Sequence, residues 1–119
     1  MGKPLERLKK RSQFLLVAAE KKKYVCNGFI MQALYRADQS NQTRIGFTVT
    51  RRVGNAVTRN RTKRRLRAAV RIVFNRFNQA GIDYVIIGRK STAHTSFPQL
   101  ESDIHQAITK FTSQQSKNR

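Results

Sequence analysis

The period of the apolar positions changes several times along the chain, and each change predicts an element. Phe14, Leu15, Leu16, Val17, Ala18 and Ala19 form a short apolar run that predicts a helix capped by Ser12 and ended by Lys21-Lys22-Lys23. From Tyr24 to Tyr35 the residues Phe29, Met31, Ala33 and Tyr35 alternate with Ile30, Gln32 and Leu34. That period of two predicts strand, with Gly28 at a bulge or bend between two pieces. Ala37-Asp38-Gln39-Ser40-Asn41-Gln42 is turn chemistry, and Arg44–Thr50 alternates again. Ile45, Phe47 and Val49 fall on one face, with Gly46, Thr48 and Thr50 on the other. The two strand segments are expected to pair as an antiparallel hairpin. The small polar face, beside Arg44, Arg51 and Arg52, need not lie in the core.

Asn55, after Gly54, is placed to cap a long segment without Gly or Pro that runs to Gly81. Within it Leu66, Ala69, Val70, Val73, Phe74 and Phe77 recur at three- and four-residue spacing, the stripe of a helix packed on a sheet. Gly81-Ile82-Asp83 stops that helix. Tyr84-Val85-Ile86-Ile87-Gly88 reads as a strand buried on both faces and parallel to the strand before the helix. Ser96-Phe97-Pro98-Gln99 has capping-box spacing, and Leu100, Ile104, Ala107, Ile108 and Phe111 make the stripe of a last helix. The sum is one α+β domain, an α/β sandwich over residues 12–112. A loosely held basic stretch, 1–11, precedes it, and a polar tail, 113–119, follows.

Charge changes this picture from a fold to a function class. Among 119 residues, 25 Lys and Arg face 6 Asp and Glu, a net charge of +19, which calls for a polyanionic partner. The densest stretch is Arg59-Asn60-Arg61-Thr62-Lys63-Arg64-Arg65-Leu66-Arg67, and no acid occurs between Asp38 and Asp83. At helical spacing Arg59, Lys63 and Arg67 form one ridge, Asn60, Arg64 and Arg71 the next, and Arg61 and Arg65 a third. A merely solvated helix face mixes both signs. Arginine outnumbers lysine here, and its planar fork suits phosphate clamping and base stacking. Asn60 has two readings on residue type alone, a contact to a base edge or phosphate and a bond to local backbone.

Catalysis by side chains finds no support. The six acids form no carboxylate pair near the basic helix, and His94 and His105 lack a positioned partner. Cys26 lies in an apolar segment that reads as core, and no Cys/His cluster has zinc spacing. No catalytic residue and no protein metal ligand is therefore expected. No signal-like or membrane-length apolar span is present, and one cysteine forms no internal disulfide. A cytoplasmic, membrane-free setting is the expectation.

The run from Arg44-Ile45-Gly46-Phe47-Thr48-Val49-Thr50-Arg51-Arg52-Val53-Gly54-Asn55 through Arg59-Asn60-Arg61-Thr62-Lys63-Arg64-Arg65-Leu66-Arg67 resembles the signature of the bacterial ribonuclease P protein subunit. Arg7-Leu8-Lys9-Lys10 with Phe14 upstream, and Asp83–Lys90 downstream, extend the resemblance over most of the chain. It implies the order α-β-β-β-α-β-α on a four-stranded sheet, with a left-handed βαβ crossover, an architecture shared with a domain of a small-subunit ribosomal protein. General sheet physics favours the other hand. It implies a monomeric protein bound 1:1 to a catalytic RNA that uses Mg²⁺, held mainly by the RNA, to remove the 5′ leader of precursor tRNA. Arg59, Arg61, Lys63, Arg65 and Arg67 then match positions that bind the catalytic RNA. Phe14, Gln32, Thr48, Arg52, Asn60 and Arg64 match a leader-binding cleft. Phe14 either stacks on a base or fills the core. Ala18 and Gln32 stand where some members carry aromatics, which implies weak stacking and low leader-sequence discrimination. The competing classes are a ribosomal protein or RNA chaperone, and a nuclease acting alone.

Overall fold

The computed structural model describes residues 5–36, 42–76 and 81–117. Five strands form one mixed sheet: β1 Glu6–Arg7, β2 Lys23–Val25, β3 Phe29–Tyr35, β4 Arg44–Thr48 and β5 Ile82–Gly88. Three helices accompany them: α1 Arg11–Ala19, α2 Ala56–Arg76 and α3 Phe97–Lys117. Two 3-10 turns, Arg51–Val53 and Lys90–His94, precede α2 and α3.

The strand order is β1-β4-β5-β3-β2. As the apolar run predicts, β5 is buried on both faces, lying parallel to β4 on one side and antiparallel to β3 on the other. Its central place corrects the expected hairpin of β3 with β4, which are separated by β5. The hairpin is instead β2 with β3. A four-strand count is also one short. Glu6 and Arg7 pair in parallel with Arg44 and Ile45, and Leu8 is buried, so part of the stretch read as loosely held joins the sheet. Phe77, counted in the α2 stripe, and most of the turn after β3 fall outside the described residues.

The two faces of the sheet are packed very differently. Phe29, Met31, Ile45, Tyr84 and Ile86 point to one face, where the predicted stripes of α2 (Leu66, Ala69, Val70, Val73) and α3 (Leu100, Ile104, Ala107, Ile108) close a continuous core. Phe74 meets Tyr84 edge-on at 5.4 Å there, an arrangement favoured by the ring quadrupoles. Among the described helices, α1 covers the other face. Its cluster comprises Leu8, Val17 and Val85, with Phe14, Leu34 and Ile87 partly buried against it.

Helix ends follow local chemistry. Asn55 Oδ1 accepts from the Thr58 amide at 2.9 Å, the predicted cap of α2. Ser96 Oγ accepts from the Gln99 amide at 3.2 Å. The expected Ser12 cap is not used: α1 begins at Arg11, and Gln13 Oε1 reaches back to the Lys9 and Lys10 amides, both at 3.0 Å. Gly54, at φ +153°, turns the chain from β4 into α2 in a conformation that L side chains rarely adopt.

The one acid of the central strand is fully committed. Asp83 is buried, accepts a bidentate pair from Arg44 at 2.8 and 2.7 Å, and also accepts from Arg36. Two guanidiniums around one buried carboxylate keep a charged group tolerable in a sheet centre.

Candidate nucleic-acid interface

The basic run occupies the first turns of α2, where the free amides and macrodipole add positive potential. The packed stripe contains Thr62, Leu66 and Ala69, so the remaining azimuths of the helix carry the cations. Asn60, Arg61, Arg64 and Arg71 are exposed, while Arg59, Lys63, Arg65 and Arg67 are half-buried on the flanks. No acid pairs with any of these eight among the described residues.

The flank formed by Arg59, Lys63 and Arg67 has a specific electrostatic signature. The Arg67 guanidinium lies 5.8 Å from the centroid of Phe47 on β4, a cation–π contact that fixes its direction. Arg59 Nε and Arg67 Nε are both buried without an acceptor among the described residues. A buried N–H without a partner costs free energy that an arriving anionic oxygen would recover. Phe47 was legible in the sequence as an inward strand residue, but its role as a platform for Arg67 was not.

The six residues expected to line a cleft divide between two parts of the molecule. Register places Gln32 and Gly46 on either side of Val85, and Thr48 beside Ile87, on the sheet face that α1 covers. Phe14 joins them there: its ring sits where a Cβ on Gly46 would fall only 2.5 Å away, so the missing side chain makes room for the aromatic. Phe14 is thus half-buried, neither sealed in the core nor free. Asn60 and Arg64 belong to α2, which packs on the opposite face. Arg52 lies exposed in the 3-10 turn that links the end of β4 to α2. A strand of nucleic acid touching both groups would pass around the end of β4, past Thr48 and Arg52.

Arg65 departs from its neighbours. Its guanidinium donates to backbone carbonyls of Thr92 and Thr95 at 2.8 and 2.7 Å, so it faces the second 3-10 turn and not the flank of Arg67. Arg44, read as part of a basic strand face, is spent on Asp83. Cys26 is buried, and burial with the nearby Asp103 pushes its thiol up to about 12, only partly offset by Arg89. It is therefore a protonated core thiol at neutral pH.

No group of three or more His, Cys, Asp or Glu side chains able to hold a metal occurs among the described residues. Hard cations need clustered oxygen ligands. Asp83, closed by two arginines, has no further acid beside it among the described residues to complete such a cluster. No described helix is long and apolar enough to cross a membrane.

Known proteins share both sequence and fold with this chain. The family model for ribonuclease P matches residues 3–112. The ribonuclease P protein component of Gluconacetobacter diazotrophicus is 48% identical over 110 residues, covering 92% of this chain and 94% of that one. That of Paramagnetospirillum magneticum is 46% identical, covering 91% and 84%. The ribonuclease P protein of Thermotoga maritima superposes with a TM-score of 0.69 at 27% identity, over 83% of this chain and 91% of the other. That of Staphylococcus aureus, at 20% identity, shares the fold, with a TM-score of 0.71 over 87% and 92%. The mixed sheet, the cation-bearing crossover helix and these matches lead to one conclusion: the chain belongs to the ribonuclease P protein family.

Proposed function

We propose that this chain is the protein component of a ribonuclease P holoenzyme, in which it binds the catalytic RNA through α2 and the 5′ leader of precursor tRNA along the α1 face of the sheet. The observation that carries the first half is the pair of buried, acceptor-free guanidinium N–H groups of Arg59 and Arg67, two turns apart on a helix face that holds no acid. Phosphate oxygens supply the missing acceptors. Arg61, exposed on the same turns, and Lys63 continue the contact.

The second half rests on the contrast between sheet faces. The α1 face presents a half-buried aromatic, Phe14, an amide, Gln32, and a hydroxyl, Thr48, beside the exposed Arg52. That mixture suits a single strand held by one stacked base and its backbone. With Ala18 and Gln32 standing where further aromatics would stack, selection among leader sequences is weak. In this reading the RNA performs the chemistry and holds the Mg²⁺ that the reaction uses, which agrees with the lack of a three-ligand acid, His or Cys cluster among the described residues. One protein binds one RNA, in the cytoplasm.

Reconstitution tests this directly. At stoichiometric amounts the protein should lower the Mg²⁺ concentration needed by a bacterial ribonuclease P RNA to cleave precursor tRNA. A ribosomal protein or general RNA chaperone at the same ratio should not, and failure of this chain to do so would favour that class. Cleavage by rigorously RNA-free protein would point to a nuclease acting alone. Within the same system, Arg59→Ala with Arg61→Ala should flatten the log-log salt dependence of RNA binding by about 0.7–0.9 for each phosphate that is no longer neutralised. An unchanged slope removes this helix face from the interface.

A further inference from the structure

Arg65 lies in the middle of the arginine run, yet its hydrogen bonds run inward. Nη1 donates to the Thr92 carbonyl at 2.8 Å and to the Ala93 carbonyl at 3.2 Å, and Nη2 donates to the Thr95 carbonyl at 2.7 Å. All three acceptors belong to the 3-10 turn Lys90–His94 or the residue after it. Two residues along a helix is about 200° of rotation, so Arg65 and Arg67 are held on opposite flanks, one by this turn and the other by Phe47.

The turn itself is rigidly held. Thr92 is buried; its hydroxyl donates to the Gly28 carbonyl at 2.6 Å and accepts from the Arg89 amide at 2.9 Å. Ser91 Oγ donates to the Asn27 carbonyl, and Arg89 Nη1 donates to the Cys26 carbonyl at 2.7 Å. Thr95 Oγ1 closes back on the Ser91 carbonyl at 2.8 Å. The turn is thereby tied to the connection between β2 and β3, at the far side of the sheet from β4. An apolar stripe gives a helix its face but only weakly fixes rotation and sliding, because dispersion and burial are non-directional. Hydrogen bonds are directional, and a planar fork on three carbonyls fixes both.

We propose that Arg65 is a positioning residue: through the Lys90–His94 turn it locks the rotation and axial setting of α2, so that Arg59, Arg61, Lys63 and Arg67 meet the RNA in register, while making no RNA contact itself. This rests on the reading of α2 as the RNA-facing helix. A phosphate contact at this position would tolerate lysine, which keeps the charge. Carbonyls spread from Thr92 to Thr95 require the guanidinium fork, which an ammonium does not reproduce.

The test uses the intact protein with ribonuclease P RNA, at a temperature where circular dichroism shows every variant folded, and measures affinity against salt concentration. Arg65→Lys and Arg65→Gln should both weaken binding roughly tenfold with the wild-type salt slope. Thr92→Val, which alters no charge, should do the same by freeing the turn from Gly28, and Thr92→Ser, which keeps the hydroxyl, should restore affinity. This Thr92 pair decides the matter if the Arg65 variants do not fold. A flattened slope in Arg65→Gln that lysine restores would make Arg65 a phosphate contact and overturn the proposal. Unchanged affinity with only a lower melting temperature would also overturn it, leaving a stabilising role alone. Arg61→Gln is the control for the underlying reading: it should flatten the slope. If Arg61→Gln and the Arg65 and Thr92 variants all leave binding unaltered, the assignment of α2 to the RNA has failed.

Discussion

The two faces of the sheet are built for different ends. Toward α2 and α3, tightly spaced Leu, Ile, Val and aromatic side chains seal an apolar core with a ring pair at its centre. Toward α1, the apolar cluster has three buried members among the described residues, and Phe14, Gln32 and Thr48 are half-buried beside it and reachable from outside. Stability is concentrated on one side, which leaves the other free to accept a ligand at small cost to the fold. The same division explains where the cations sit: they ride on a helix whose apolar stripe is secured to the stable side.

Truncation should expose the difference at once. Leu66→Ala, on the sealed face, should lower the unfolding free energy by about 2–5 kcal/mol in urea titration; a loss below about 1 kcal/mol would deny that this face dominates. Gly46→Ala places a methyl against the Phe14 ring and should cost about 1–3 kcal/mol. Adding Phe14→Ala to Gly46→Ala should recover part of that loss, and strict additivity of the two would mean the ring does not press on Gly46. Phe14→Ala alone should remove only about 1 kcal/mol of stability while weakening binding of leader-bearing precursor more than of mature tRNA.

A smaller contrast is readable in pH. Burial raises the Cys26 thiol from 9.0 to about 12, so the folded state retains the thiol proton where the unfolded chain has lost it. The sign follows: this contribution is complete below pH 9 and disappears as pH climbs toward 12. Cys26→Ala should therefore make stability fall less steeply between pH 9 and 11 than in the parent protein. Tyr84, whose phenol is also raised by burial, contributes a decline at the upper end of this range that survives the substitution. Identical curves for the two proteins would place Cys26 in contact with solvent.

Much of this architecture was legible in the sequence because periodicity reports which face of an element is apolar. The stripes of α2 and α3, the Asn55 cap and the double-sided burial of β5 follow from that logic. Neighbour order did not: alternation in Phe29–Tyr35 and Arg44–Thr48 is equally compatible with a direct hairpin and with an intervening strand. The deeply apolar β5 takes the centre because only there are both of its faces covered. A two-residue strand such as Glu6–Arg7 is too short to show a period. In the site, Arg61 and Arg65 read alike because what separates them is a set of backbone carbonyls at Thr92–Thr95, and carbonyls leave no mark in sequence. Asp83 shows the same limit, since nothing local pairs it with Arg36 and Arg44.

The outer strands carry a consequence for how the protein behaves before it meets RNA. Any open sheet edge is a template for another chain's backbone. Here one edge ends in the three residues of β2, headed by Lys21, Lys22 and Lys23, and the other in the two residues of β1. Short length and like charge together keep copies from zipping edge to edge. That protection is electrostatic on the β2 side, so it weakens as salt rises: concentrated stocks of the free protein are guarded against strand-wise aggregation best at low ionic strength, the same condition under which RNA is gripped most tightly.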